Sequence, residues 1–361
     1  VAETATETGD PGLHDAARRL WLNTTRQKMY VTGSVGSQEK DEGFGPAYSL
    51  PNSPGYNESC AACGLVYYSD AMFTLDGEAQ SMDVLERTLY NAVLHGISLD
   101  GISTYYRNPL SDDNHPRGNI WVCCPPTLSR TLLRVQDYIY AHTARDIYVN
   151  LFVGSTATVP LETGPVAVTQ KTNYPWDGSV KLTINPEKPE RFALRVRIPG
   201  WSRGATLSVG GKPIPNPTVE KGYAVIDREW LKGDTVTLDM PMPIERIEAN
   251  PNVKDDSGMI ALQRGPIVYG LEGIDNGGVV DLRLGAGAKL TAEYRPNFLG
   301  GVTVITGQAI DGRPLTAIPF YALANREKSR QAVWIRQDDQ APQGAGTDAW
   351  GDKLYRAVGQ R

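Results

Sequence analysis

The chain has 361 residues, room for two or three domains at ~150 residues each around a substantial core. A net charge of −5 with no basic run argues against nucleic acid or an anionic membrane as partner. No apolar run approaches the ~18 residues of a transmembrane helix, and the four cysteines fall into two tight clusters.

Val1-Ala2-Glu3-Thr4-Ala5 reads as the tail of a helix rather than as a signal or transit peptide, which leaves the compartment open between cytoplasm and periplasm or secretion. Gly9-Asp10-Pro11 offers a cap with proline at the first helical position. Ala16, Leu20 and Met29 follow at roughly helical spacing and predict a helix over 11–29. Val31-Thr32-Gly33-Ser34-Val35-Gly36-Ser37 lacks the Gly-Lys-Ser/Thr ending of a phosphate-binding loop and is expected to be a turn. The loop from Lys40 through Glu42-Gly43-Phe44 to Leu50-Pro51-Asn52 is long for a connector, and such loops carry function.

A second helix is expected from Tyr56 to Leu75, stopped by Asp76-Gly77, with Cys60, Gly64, Tyr67 and Ala71 on one face. A third, from Glu78 to His95, carries Met82, Leu85, Leu89 and Val93 at helical spacing. Asp100-Gly101 signals a hairpin between 97–99 and 102–106. Pro125 and Pro126 open a fourth helix bearing Leu128, Leu132, Val135 and Ile139. That sets Cys123 and Cys124 just ahead of a helix N-terminus, where the dipole favours thiolate.

From about residue 145 the period changes to two. Val180–Ile184, Leu194–Ile198 and Thr235–Leu238 alternate cleanly between Gly and Pro punctuation, which predicts an antiparallel sandwich. After a break at Pro241-Met242-Pro243 come further strands, including 260–262, 267–269 and 332–335. The polar stretch from Gln337 to Arg361 is expected to be loose.

The chemistry concentrates in Glu58-Ser59-Cys60-Ala61-Ala62-Cys63 and Cys123-Cys124-Pro125-Pro126. Thiolates beside a carboxylate suit zinc, so the residues leave open a structural site of four cysteines and a mixed site that takes in Glu58 or Glu42. A redox reading of Cys60-x-x-Cys63 lacks the strand-then-helix setting it needs. His14, His95, His115 and His142 show no metal-ligand spacing and read as surface or core residues.

Gly33-Ser34-Val35-Gly36-Ser37, Glu42-Gly43-Phe44, Leu50-Pro51-Asn52, Glu58-Ser59-Cys60, Arg87-Thr88-Leu89-Tyr90-Asn91, Tyr106-Arg107-Asn108-Pro109-Leu110 and Cys123-Cys124-Pro125-Pro126 resemble, in order and spacing, motifs of glycoside hydrolase family 127, the β-L-arabinofuranosidases, and of the related family 146. Arg197-Ile198-Pro199-Gly200-Trp201 and Ile318-Pro319-Phe320-Tyr321 resemble the family's β domains, so the likeness covers nearly the whole chain.

The resemblance implies a multidomain α plus β fold. Residues 1–142 would be part of an (α/α)₆ catalytic barrel, followed by antiparallel β-sandwich domains over 143–244 and 245–361. It implies a retaining, exo-acting hydrolase that releases L-arabinofuranose, with zinc held by Glu58, Cys60, Cys123 and Cys124. Cys123 is then the nucleophile, Glu42 the general acid/base and Tyr106 a sugar contact, while Cys63 matches no functional position. The implied partner is an oligosaccharide or glycoconjugate containing L-arabinofuranose, and a homodimer is left open. Four helices against the twelve of a closed barrel lead us to expect the C-terminal portion of a longer enzyme. The alternative is a non-catalytic carbohydrate-binding or scaffolding module with a structural zinc. Glu42 discriminates, since a binding module needs no carboxylate beside the thiolates.

Overall fold

The computed structural model describes residues 1–112, 123–338 and 350–359. Its helical part holds α1 (Ala2–Thr8), α2 (Pro11–Gln27), α3 (Ser59–Asp76), α4 (Ala79–Arg87) and α5 (Cys124–Leu133). Asp10 caps α2 by accepting from the backbone of Gly12 and Leu13 at 2.7 and 3.1 Å, and Gly77 ends α3 in the left-handed conformation at φ 64°. Among the described residues no helix is long and apolar enough to cross a membrane.

The third helix runs to His95 as expected, but beyond α4, which stops at Arg87, it widens into a π-helical turn over Thr88–Val93. Asn91 supplies the reason. Its Nδ2 donates to the Arg87 carbonyl at 2.8 Å and to the Pro266 carbonyl at 3.0 Å, while its Oδ1 accepts from the Val268 backbone at 2.8 Å. One side chain thus diverts a helix carbonyl and ties the widened turn to the C-terminal sheet. The Asp100-Gly101 reversal forms with a single bridge between Ile97 and Thr104 rather than two strands. The fourth helix ends at Leu133, and a 3₁₀ turn over Val135–Tyr138 completes it.

Residues 140–239 form two facing sheets, one of five strands and one of six. Val166, Val168, Leu182, Ile184 and Val236 on one meet Phe192, Leu194, Val196 and Ile226 on the other in a shared core, as the period-two alternation predicts. Pairing is antiparallel except between Asp146–Val149 and Glu190–Arg197, which run parallel.

The C-terminal region takes a different form. Strands between Ile244 and Ala357, with Ser111–Asp112 from the helical part, join into one eleven-stranded network rather than two facing sheets. Its central strands are buried on both faces, whereas the edge strand Thr291–Arg295 is largely exposed. Ile260, Leu262, Tyr269, Leu271 and Ala317 face a core enclosed by the curl of the sheet. Alternate residues Ala261, Val268 and Ile318 pack with Met29, Val31, Leu65 and Met72 of the helical part. A curled sheet buried on one face by itself and on the other by helices has no partner sheet to face. The expected loose tail is also ordered where it is described. Tyr355–Ala357 pairs with Ile247–Ala249, Trp350 and Leu354 are buried, and Tyr355 donates to the Met29 carbonyl at 2.9 Å. Residues 339–349, 360 and 361 of that tail lie outside the described residues.

Arg197 locks the sandwich to α4. It is fully buried, and bonds Asp83 Oδ1, Glu86 Oε1 and the Asn150 carbonyl at 2.6 Å each. The backbone of Gly200 and the indole of Trp201 donate to the other oxygens of Asp83 and Glu86.

Candidate active site

Two helix N-termini bring the cysteines together. Glu58 is the N-cap of α3 and Cys60 lies in its first turn; Cys123 is the N-cap of α5 and Cys124 its first residue, followed at once by Pro125-Pro126. The Tyr67 hydroxyl and Thr131 Oγ1 bond across the two helices, which holds these ends side by side. Cys123 Sγ lies 3.2 Å from Glu58 Oε1 and 3.7 Å from Cys124 Sγ, and Cys124 Sγ is 3.5 Å from the same oxygen. The donor atoms of Glu58, Cys60, Cys123 and Cys124 all lie within 4.8 Å of one another.

This donor set fits a tetrahedral cation. Bonds of ~2.3 Å to sulfur and ~2.0–2.2 Å to oxygen place donors ~3.8 Å apart between sulfurs and ~3.5 Å between sulfur and oxygen, close to the spacings observed. Burial, with the neighbouring Cys123 thiol, pushes Cys60 up to about 12. Burial and Cys60 push Cys124 up as well, so both stay thiols at neutral pH unless a cation offsets the charge. Cys63 stands apart from the group: it is buried one turn further along α3, and its thiol is raised by burial to about 11.

The second half of the site is a strained hairpin. Gln38 and Gly43 pair through their backbones, and between them Asp41 and Glu42 both take positive φ, 57° and 49°. Left-handed backbone costs a non-glycine residue ~1–3 kcal/mol, and such strain gathers at functional positions. The preceding glycines support the hairpin. Gly33 at φ 82° packs so closely that a Cβ there would sit 2.6 Å from Thr88 Cα, and Gly36 accepts from the Asn57 backbone at 2.9 Å.

Glu42 is exposed, and its Oε1 accepts from Tyr106 at 2.8 Å and from Tyr56 at 3.3 Å. The Tyr56 hydroxyl also reaches Glu58 Oε2 at 3.3 Å and Tyr106 at 3.1 Å. Tyr56 therefore joins the carboxylate of the hairpin to the carboxylate of the thiol cluster. Burial holds the Tyr56 phenol up at about 12; the contact with Tyr56, then burial, holds Tyr106 well above its ordinary value, so both remain donors. Arg107 stacks 5.3 Å over the Tyr56 ring and pairs with Glu39 of the hairpin.

Every residue singled out from the sequence, Glu42, Glu58, Cys60, Tyr106, Cys123 and Cys124, thus meets in one place. Tyr56 was not singled out, although its place two residues before Glu58 was a usable signal. The histidines stay outside the group: His14 pairs with Asp76 at 2.6 Å, His95 stacks between Tyr105 and Phe320, and His142 lies on an exposed strand end. His115 lies outside the described residues.

Comparison with known proteins agrees along the chain. The family model described as the β-L-arabinofuranosidase, glycoside hydrolase family 127 catalytic domain matches residues 1–137. The middle-domain model matches 146–242 and the C-terminal-domain model 244–336. A non-reducing end β-L-arabinofuranosidase of Bifidobacterium longum subsp. longum is 34% identical, over 93% of this chain and 57% of that protein. The crystal structure of a family 127 β-L-arabinofuranosidase from Geobacillus stearothermophilus T6 superposes with a TM-score of 0.89 at 40% identity, covering 93% of this chain and 59% of the other. A second β-arabinofuranosidase structure of the same family gives 0.89 at 36% identity, covering 93% and 58%. The chain therefore spans a little under three fifths of the length of these relatives.

Proposed function

We propose that this chain, which belongs to glycoside hydrolase family 127, carries the nucleophile and the acid/base of a retaining, exo-acting hydrolase that releases L-arabinofuranose from β-L-arabinofuranosides. The observation that carries the reading is the convergence of an exposed carboxylate, Glu42, with a thiol cluster through Tyr56 and Tyr106. The five helices belong on this reading to an (α/α)₆ catalytic domain within 1–142, with β domains over 143–244 and 245–361.

Zinc, held by Glu58, Cys60, Cys123 and Cys124, would supply the charge that keeps the thiols deprotonated. Of the three cysteines Cys123 is the exposed one and Cys124 is buried, so Cys123 is the sulfur that a substrate can reach. Its thiolate attacks the anomeric carbon opposite the leaving oxygen; the S–C bond forms as the C–O bond breaks, and Glu42 gives the departing oxygen its proton. Glu42, now a carboxylate, takes a proton from water as the water displaces sulfur, and the thiolate is restored. Two inversions leave the configuration retained. Tyr106 is half-buried beside Glu42, where it would contact the sugar. The substrate on this reading is an oligosaccharide or glycoconjugate ending in L-arabinofuranose.

The test is hydrolysis of p-nitrophenyl β-L-arabinofuranoside by zinc-loaded protein, with Cys123→Ser and Glu42→Gln alongside. Cys123→Ser should abolish turnover and Glu42→Gln should slow it steeply while leaving a measurable rate on this activated leaving group; adding Glu42→Gln to Cys123→Ser should cost nothing further, because the two residues act in one displacement. A furanosyl electrophile that labels Cys60 or Cys63 and spares Cys123 would contradict the assignment.

A further inference from the structure

The Tyr56 hydroxyl stands where the two carboxylates of the site meet, and each carboxylate turns one oxygen to it. Glu58 turns Oε1 to the sulfurs of Cys123 and Cys124 and Oε2 to Tyr56. Glu42 turns Oε1 to Tyr106 and Tyr56, and among the described residues no hydrogen bond reaches its Oε2. Asn57 helps to create this arrangement. Its left-handed backbone, φ 44°, turns the chain between Tyr56 and Glu58, and reciprocal bonds with Asn108 hold it there: Asn57 Nδ2 donates to the Asn108 carbonyl and Asn108 Nδ2 to the Asn57 carbonyl.

We infer that Tyr56 is a positioning residue: with Tyr106 it pins Oε1 of Glu42 as an acceptor, which leaves Oε2 as the oxygen that carries and delivers the proton, while the same hydroxyl steadies the outer oxygen of Glu58. The inference rests on the reading of Glu42 as the acid/base.

The proton count supports it. Two phenols bring two protons to four contacts, and the shortest, 2.8 Å, commits the Tyr106 proton to Glu42 Oε1. The Tyr56 proton then has three acceptors, the Tyr106 oxygen at 3.1 Å and Glu58 Oε2 and Glu42 Oε1 at 3.3 Å each, so one hydroxyl is shared between the second phenol and both carboxylates. When Glu42 is protonated, its carbonyl oxygen is the better acceptor, so donors gathered on Oε1 place the acid proton on Oε2. Oε1 is thereby occupied and Oε2 is left to face the leaving group. The ring of Tyr56 is buried, 5% exposed, and packs edge-on against Tyr106 and beneath Arg107. Those contacts survive in phenylalanine, so Tyr56→Phe removes the hydroxyl and little else.

The experiment compares the zinc-loaded full chain, Tyr56→Phe, Glu42→Gln and the double variant. It reads kcat and KM on p-nitrophenyl and on methyl β-L-arabinofuranoside, and the rate at which zinc passes to a chelator. Tyr56→Phe should lower kcat ~10–100-fold on the methyl glycoside, whose leaving group needs the proton, and less on the p-nitrophenyl glycoside, with KM little changed. It should also lose zinc faster than the parent protein. In the Glu42→Gln background it should cost little further kcat. An equal further loss there would mean that Tyr56 does not act through Glu42, and unchanged kcat with unchanged zinc loss would overturn the inference outright. If only a version extended upstream of Val1 is active, the kcat comparison is read there; if neither that version nor this chain hydrolyses either glycoside, the hydrolase reading falls and the proton-carrier claim falls with it. The chelator arm then decides the Glu58 contact by itself: faster zinc loss in Tyr56→Phe upholds it, and an unchanged rate ends it.

Discussion

Replacing Arg197 by methionine removes a guanidinium that bonds two carboxylates at once in the joint between α4 and the sandwich. The two sites lose unequally. Asp83 is 28% exposed, keeps the Gly200 backbone donor and can take up water; Glu86 is 1% exposed and keeps only the neutral donors Tyr174 and Trp201 among the described residues. Breaking a buried ion pair costs ~3–5 kcal/mol, chiefly because a charge is left without compensation. Methionine keeps an unbranched apolar stem of similar reach but loses the guanidinium that lies 5.4 Å over the Phe152 ring. The expected loss is therefore ~3–5 kcal/mol, most of it at Glu86. Urea unfolding followed by tryptophan fluorescence measures it, and the sandwich transition is fitted separately because a multidomain chain need not unfold in two states. Adding Glu86→Gln to Arg197→Met should recover more than half of the loss, and adding Asp83→Asn little. Equal rescue by the two, or a loss below ~1 kcal/mol for the single variant, refutes the reasoning that a buried, unpaired Glu86 is the cause.

Gly33→Ala should destabilise the fold by more than ~2 kcal/mol, since it adds left-handed strain to a 2.6 Å clash with Thr88 Cα; Thr88→Ala should not rescue it, and thermal unfolding of both variants decides. Asp256, bonded by Asn52 at 2.7 Å, is pushed up by burial to about 7, above the ~3.9 of an unfolded aspartate. The folded state therefore holds the extra proton between those values, and this residue's contribution to stability falls as pH rises from about 4 to about 7. Asp256→Asn should accordingly stabilise the protein more at pH 8 than at pH 5, and a gain independent of pH in urea titrations would remove burial as the cause. Zinc added to chelator-stripped protein should release protons at pH 7, at least those of Cys60 and Cys124, which calorimetry in two buffers of different ionisation enthalpy can count. Cys63→Ala should keep the metal and Glu58→Ala should lose it; elemental analysis showing the reverse would favour a site of four cysteines.

Features set by neighbouring residues were legible before the fold was known. Asp10-Pro11 starts a helix because capping is settled within three residues, Asp76-Gly77 stops one because glycine takes left-handed backbone, and 180–184 alternates because a strand has two faces. The cysteine pair ahead of Pro125-Pro126 was legible for the same reason: a helix N-terminus is written in adjacent residues. Partners far along the chain were not written there. The unbroken apolar runs at 260–262 and 267–269 state that both faces are apolar, but only packing decides that one face closes on itself and the other covers helices. Tyr355–Ala357 looks polar in sequence and becomes a strand because the edge at 247–249 awaits it. In the site, Glu42 and Tyr106 stand 64 residues apart and Glu58 and Cys123 stand 65 apart. Only the tertiary structure could place one phenol, Tyr56, between those pairs, because a hydrogen-bond network is set by where chain segments are packed and not by the residues on either side of its hub.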